Sequence, residues 1–152
     1  MKKSFIPEKL YKKITENIPI CCVDILVTNK NRFLLVQRKI DPLKNKWWFP
    51  GGRLLFNESL RAGVKRKLKE ELGIKKVKTI KFLAIGETKF RKGYFNLPSH
   101  TINITFRAEI DNLSAKNINL EMRNHLNYRW FQKIPAQIGS YVKKFLKLAG
   151  FK

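Results

Sequence analysis

The sequence predicts an α/β fold in which a mixed β-sheet is sandwiched between α-helices. Three observations predict it. Apolar or alternating stretches of strand length recur at 18–27, 32–38, 77–90, 100–110 and 128–134. Residues 58–72 instead repeat Leu60, Val64, Leu68 and Leu72 every four positions, the spacing of a helix. The stretch "IGSYVKKFLKLAGF" has helical spacing again at Ile138, Val142, Phe145 and Leu146. Strands interspersed with amphipathic helices bury their apolar surfaces when the helices cover the faces of the sheet.

The elements follow in order. Residues 5–16 read as a short helix with Pro7 near its first turn. "IPICCVDILV" (18–27) is a continuous apolar run interrupted by one acid, Asp24, and "TNKN" after it is a turn signal. "RFLLVQR" (32–38) is the second strand, "KIDPLKNK" (39–46) a loop, and "WWFPGG" (47–52) a short strand ending in Pro and two Gly. Asn57 is suited to cap the helix over 58–72. "VKTIKFLAIGETKF" (77–90) and "HTINITFRAEI" (100–110) alternate like strands around the flexible excursion "RKGYFNLPS", and "YRWFQKI" (128–134) is a further strand. No repeat, low-complexity tract or linker interrupts the 152 residues, which suit one compact domain over 1–152.

Composition narrows the function. A 43% hydrophobic content excludes a disordered chain, and no apolar run approaches membrane-spanning length. The lysines of "MKKSFIPEKLYKKI" are followed by no apolar segment, so no signal peptide is expected. Cys21 and Cys22, neighbours in an apolar run, are expected to be buried, reduced thiols, which points to the cytoplasm. Two cysteines and two distant histidines form no zinc-ligand cluster. The net charge of +22 would attract an anionic partner, such as a nucleotide, nucleic acid or membrane surface. The lysines are scattered rather than gathered in a stripe, which reads more as residue usage than as a binding face. A positive field still draws in a small polyanion.

Chemistry concentrates in "PGGRLLFNESLRAGVKRKLKEELGI" (50–74), which holds Glu58, Glu70 and Glu71 in a chain with only eleven acids. On an ideal helix at about 100° per residue, the four apolar residues cover roughly 120° of arc. Glu70 falls outside that stripe and Glu71 at its edge, so Glu71 points inward. A buried carboxylate needs a partner, and a hard cation such as Mg²⁺ is one. Lys67 lies one turn earlier on nearly the same face, and a plain i,i+4 Lys–Glu pair is the ordinary alternative.

From Gly52 the sequence runs Gly, five residues, Glu58, seven residues, then Arg66, Lys67, Leu68, Lys69, Glu70, Glu71, Leu72, Gly73 and Ile74. This resembles the Nudix box, G-x5-E-x7-R-E-U-x-E-E-x-G-U with U aliphatic, over 52–74, with Lys67 in place of the first Glu of the R-E pair. The resemblance implies the Nudix fold and a divalent metal, Mg²⁺ or Mn²⁺, at a diphosphate. It also implies that the Gly51 carbonyl and Glu71 are protein ligands and that Arg66 is a structural partner of Glu58. An ammonium at Lys67 would repel a second cation or stand in for one.

The remainder is similar to one Nudix branch, GDP-mannose mannosyl hydrolase, in which water attacks the sugar carbon C1 and GDP leaves. The likeness rests on "VDILV" with Asp24, "FLLVQR" ending in Arg38, "WWFPGGR" ending in Arg53 and "NHLNYRWF" (124–131). It implies His125 as the general base and Asn124 as an amide ligand of a single metal; Glu70, which the branch's box typically lacks, is a lesser candidate ligand beside them. Arg38 and Arg53 would hold the leaving diphosphate, and Asp24 would be an acid near the sugar. It implies a homodimer too. His125 and Asn124 could otherwise be loop residues, the arginines surface residues, and Trp47, Trp48 and Phe49 core packing rather than a base stack.

Three departures separate this chain from the branch. Thr101 stands where the branch has Tyr, "GET" (86–88) replaces Trp-Gln-His, and Glu70 is retained. The expected partner is a nucleotide-sugar, with no membrane and, despite the charge, no nucleic acid. Two other functions compete: a Nudix pyrophosphatase cleaving at phosphorus, and a non-catalytic nucleotide- or RNA-binding domain.

Overall fold

The computed structural model describes residues 6–152. The expected α/β sandwich is present. Its helices are α1 (Glu8–Asn17), α2 (Leu60–Leu72), α3 (Asn112–Lys116) and α4 (Ser140–Leu148). Its strands are β1 (Ile20–Asn29), β2 (Arg32–Arg38), β3 (Trp47–Trp48), β4 (Gly51–Arg53), β5 (Thr79–Phe90), β6 (Ser99–Glu109) and β7 (His125–Phe131). The sheet order is β3-β2-β1-β6-β5, with β4 added on β1 and β7 on β2. Strands β1 and β6 are parallel; the other pairs are antiparallel. Among the described residues no helix is long and apolar enough to cross a membrane.

The two-residue period of the central strands explains the layers. Val23, Ile25 and Val27 of β1, with Leu34 and Val36 of β2, pack with Val64, Leu68 and Leu72 of α2. Leu26, Phe33 and Leu35 pack instead with Val142, Phe145 and Leu146 of α4. Alternate residues of the same two strands thus fill two cores, which is why both strands read as unbroken apolar runs.

Several boundaries differ from expectation. The first helix starts at Glu8, not within 5–7, because Pro7 is extended and acts as its N-cap; Phe5 lies outside the described residues. "WWFPGG" forms two strands, not one: Trp47–Trp48 pairs with β2, and the chain then crosses at Phe49–Pro50 so that Gly51–Arg53 pairs with β1. Asn57 does not cap α2; it sits in the left-handed region at φ 59. Ser59 is the cap, its hydroxyl accepting from Ala62 N–H at 3.2 Å. Ser59→Ala is therefore expected to cost about 1 kcal/mol in a denaturant melt, while Asn57→Ala leaves the helix N-terminus capped. The apolar stripe of α2 begins at Val64, since Leu60 on the first turn is 38% exposed. Gly73, at φ 68, ends the helix with a left-handed turn.

The last strand starts at His125, three residues before its expected position, because residues 125–131 pair with Phe33–Arg38 and β2 supplies no partner beyond them. A register shift between Gln37 and Arg38 brings His125 opposite Arg38. Helix α3, capped by Asp111 through Ser114 N–H at 2.6 Å, was not expected. Cys21 is exposed rather than buried: it lies near the start of β1, ahead of the run Val23–Asn29 in which both faces are covered. Cys22 is half-buried, and burial pushes its thiol up to about 12. Both thiols are free.

Candidate active site

The loop before α2 and the helix itself are fastened by one guanidinium. Arg66 donates through Nε to Glu58 Oε1 at 2.6 Å and through Nη2 to Glu58 Oε2 at 2.8 Å. The same group donates to the Arg53 carbonyl at 3.0 Å and to Glu70 Oε2 at 3.1 Å. Leu55 N–H also donates to Glu58, whose side chain is 1% exposed. Hydrogen bonds from Arg66 hold the Glu58 carboxyl below its ordinary value. Strand β4, the connecting loop and α2 are thereby fixed relative to one another.

Glu71 lies at the centre of the next layer. Gly51 N–H donates to its Oε2 at 3.1 Å, His125 Nε2 is 3.1 Å from the same oxygen, and Lys67 Nζ is 2.5 Å from Oε1. Burial alone would raise this carboxyl; hydrogen bonding from His125 and the charge of Lys67 outweigh it and hold the group ionised. An ionised carboxylate accepts, so Nε2 of His125 carries the proton in this arrangement. The ring is 1% exposed, and its Nδ1 is buried without a partner among the described residues. Gly51 permits the close fit: a Cβ there would lie 2.1 Å from the Val23 carbonyl oxygen.

A cleft of about 260 Å³ opens over this layer. Asp24, Arg38, Gly51, Arg53, Lys67, Glu71 and Asn124 all line it, so folding gathers residues separated by up to a hundred positions. His125 is not at its surface but directly beneath it, against Glu71. Glu70 is farther out, shared by Arg66 and by Lys67 Nζ at 3.7 Å. Asn124 is anchored by its nitrogen, Nδ2 donating to Glu121 Oε2 at 3.0 Å, which leaves the amide oxygen as the group it can offer. Arg38 donates to the Tyr94 hydroxyl at 3.2 Å, while its Nε is buried without a partner among the described residues. The Arg53 guanidinium lies 5.4 Å from the centroid of Tyr11 of α1.

Asp24 is 5% exposed, and burial pushes its carboxyl up to about 7. The Tyr141 hydroxyl donates to its Oδ2 at 3.0 Å. Tyr141 also stacks on Trp48, with ring centroids 4.7 Å apart at 11°. Sequence reading missed Tyr141, because nothing local marks it: it sits on a helix whose spacing announces only core. Of the aromatic trio, Phe49 is core at 2% exposure, whereas Trp48 forms a wall of the cleft with Phe90 and Tyr94. Thr101 bonds to Thr88 at 2.6 Å and donates to Asn103 at 2.9 Å, closing the polar floor where the similar branch has a tyrosine.

The donor chemistry tests the implied cation. Among the described residues no three acidic, histidine or cysteine side chains converge to hold a metal. One buried carboxylate, a backbone carbonyl and an amide oxygen fit a single hard cation that takes its remaining ligands from a diphosphate and water. Lys67 Nζ stands at the one Glu71 oxygen not already engaged by Gly51 and His125.

A model of the NUDIX domain matches residues 21–138. The chain is 33% identical over 69 residues to the low-salt glycan biosynthesis protein Agl8 of Haloferax volcanii, spanning 45% of this chain and 44% of that protein. It is 31% identical over 93 residues to an ADP-ribose pyrophosphatase of Methanocaldococcus jannaschii, spanning 60% of this chain and 52% of that one. It thus spans about half the length of the curated relatives it matches. Among solved structures, a MutT NUDIX hydrolase from Burkholderia pseudomallei superposes with a TM-score of 0.72 at 20% identity, covering 87% of this chain and 98% of that chain. The NUDIX domain of Shewanella oneidensis NrtR, cocrystallised with ADP ribose, superposes at 0.67 and 18% identity, covering 96% and 92%. At such identities these structures speak for the fold alone.

Proposed function

Because the chain belongs to the NUDIX family, we propose that it hydrolyses a nucleotide-sugar, GDP-mannose or GDP-glucose, to GDP and free sugar by attack of water at C1 of the sugar. The observation that carries this reading is the Lys67 ammonium between Glu70 and Glu71, where attack at phosphorus would call for further cations. A site limited to one cation suits chemistry in which the diphosphate only has to leave. The relative named for glycan biosynthesis is in keeping with a sugar substrate.

The residues divide the work as follows. Arg38, with a buried Nε that lacks a partner among the described residues, and Arg53 hold the leaving diphosphate, since guanidinium forks match phosphate oxygens. Asp24, oriented by Tyr141, faces the sugar end of the cleft. His125 takes the proton of the attacking water at Nε2; this requires the ring to release Glu71 and to carry its own proton on Nδ1, the nitrogen without a partner among the described residues, instead of on Nε2. A single Mg²⁺ or Mn²⁺ would be held by the Gly51 carbonyl, Glu71 and Asn124, with Glu70 as a lesser ligand, and would stabilise charge growing on the departing diphosphate. Trp48 and the aromatic wall exclude water around the reacting bond. The same reading includes a homodimer and a cytoplasmic setting.

A second reading, pyrophosphatase attack at phosphorus, is favoured by the retained Glu70 and by the ADP-ribose pyrophosphatase relative. Turnover of GDP-mannose with Mg²⁺ in oxygen-18 water separates the two. Label in free mannose, with unlabelled GDP released, is expected. GMP plus mannose-1-phosphate would establish the second reading instead.

A further inference from the structure

We infer that Lys67 is a resident counter-ion that must leave Glu71 before a divalent cation can bind, so that cation and diphosphate enter together and the diphosphate takes the displaced ammonium. This rests on the reading of the cleft as a diphosphate site. Four observations carry it. The ammonium is 2.5 Å from Glu71 Oε1 and 3.7 Å from Glu70 Oε2, which is where a cation shared by the two carboxylates would sit. The other Glu71 oxygen is engaged by Gly51 N–H and His125, so while those contacts hold Oε1 is the atom left to an incoming cation. Lys67 is half-buried against the bare backbone of Gly52, where a Cβ would come within 3.2 Å of its Cε. It nevertheless lines the same cleft as Arg38 and Arg53.

Two cations on one carboxylate oxygen repel strongly at low dielectric, so ammonium and metal exclude each other there. The flexible four-carbon stem lets the ammonium swing without moving α2. A displaced ammonium in a partly buried cleft needs another anion, and a diphosphate between the two arginines is that anion. Cation and diphosphate then assist each other reciprocally, since each benefits from the release of Lys67 that the other promotes.

The test is binding of Mn²⁺ to the whole chain, followed by electron paramagnetic resonance, with turnover not read at all. Mn²⁺ alone is expected to bind Lys67→Met at least about tenfold more tightly than the wild type, while Lys67→Arg behaves as wild type. GDP, corrected for the free Mn–GDP complex, is expected to tighten Mn²⁺ binding to the wild type by about tenfold and to do so less in Lys67→Met. Should Lys67→Met not fold, Lys67→Gln, whose amide still donates to Glu71, carries the comparison. Equal Mn²⁺ affinity in wild type and neutral variant overturns the inference. So does a GDP effect that is the same in both, whatever the nucleotide-sugar assay returns.

Discussion

Arg66→Ala is expected to lower the unfolding free energy by about 3–5 kcal/mol in urea melts near neutral pH, the largest loss from any single side chain of the site. The Glu58 side chain is 1% exposed, and Arg66 supplies two of its hydrogen bonds. Removing the guanidinium leaves that carboxylate charged, buried and, among the described residues, hydrogen-bonded only by Leu55 N–H. The Arg53 carbonyl loses its donor as well, so β4 loosens and Arg53 with it. Arg66→Lys should recover little of this, because an ammonium cannot reach Glu58, Glu70 and the Arg53 carbonyl with one planar fork. The pH dependence fixes the cause. The Glu58 carboxyl is depressed when folded, so its contribution is present above its unfolded value, near 4.5, and lost as pH falls through the folded one. The difference between wild type and Arg66→Ala should therefore shrink below about pH 4. A variant that melts like the wild type across this range would mean that Arg66 does not anchor the loop.

Asp24→Asn is expected to stabilise the protein, by about 2–4 kcal/mol above pH 7, while reducing turnover. Burial raises the Asp24 carboxyl to about 7 in the folded chain from an ordinary 3.8. The folded state therefore binds a proton that the unfolded state lacks between about pH 4 and 7, and wild-type stability falls as pH rises through that window. Asparagine mimics the protonated form, and its amide oxygen can still accept from the Tyr141 hydroxyl. The two proteins should be nearly equal at about pH 4, diverge through neutrality and separate no further above about pH 8. Melts across that range, compared pairwise, cancel the opposite acid sensitivity of Glu58 and Glu71. A gap that does not grow with pH would show that Asp24 is not held protonated. A stabilised variant with reduced turnover is the mark of a charge placed in a core for function.

The sequence made the layers legible because their cause is local. Alternation in β5 and β6, continuous apolar runs in β1 and β2, and the Val64–Leu68–Leu72 stripe each follow from the period of one element. The box was legible for the same reason: Gly52, Glu58, Arg66 and Glu71 lie within a single loop and helix, at fixed spacing. Even the inward direction of Glu71 follows from helix geometry, and its side chain is buried. The elements misread were those set by distant partners. "WWFPGG" divides because its halves pair with different strands, and β7 starts at His125 because β2 supplies its ladder. The capping residue changed because Asn57 adopts a left-handed turn that lets Glu58 face Arg66.

By itself the sequence determined the family, the fold and the set of residues to watch, since box spacing and apolar period are properties of contiguous chain. Only the tertiary structure decided what those residues touch. Box spacing made Glu71 a candidate ligand and Lys67 a residue able to stand in for a cation, but only the fold shows which atoms meet: the sheet brings His125 and Gly51 to one carboxylate oxygen of Glu71 and leaves the ammonium at the other. Asp24 read as one acid in an apolar strand until α4 set Tyr141 against it from 117 residues away. The physical reason is the same in both cases. The charge state and partner of a buried group depend on what excludes water from it, and that is supplied by segments that the local sequence cannot see.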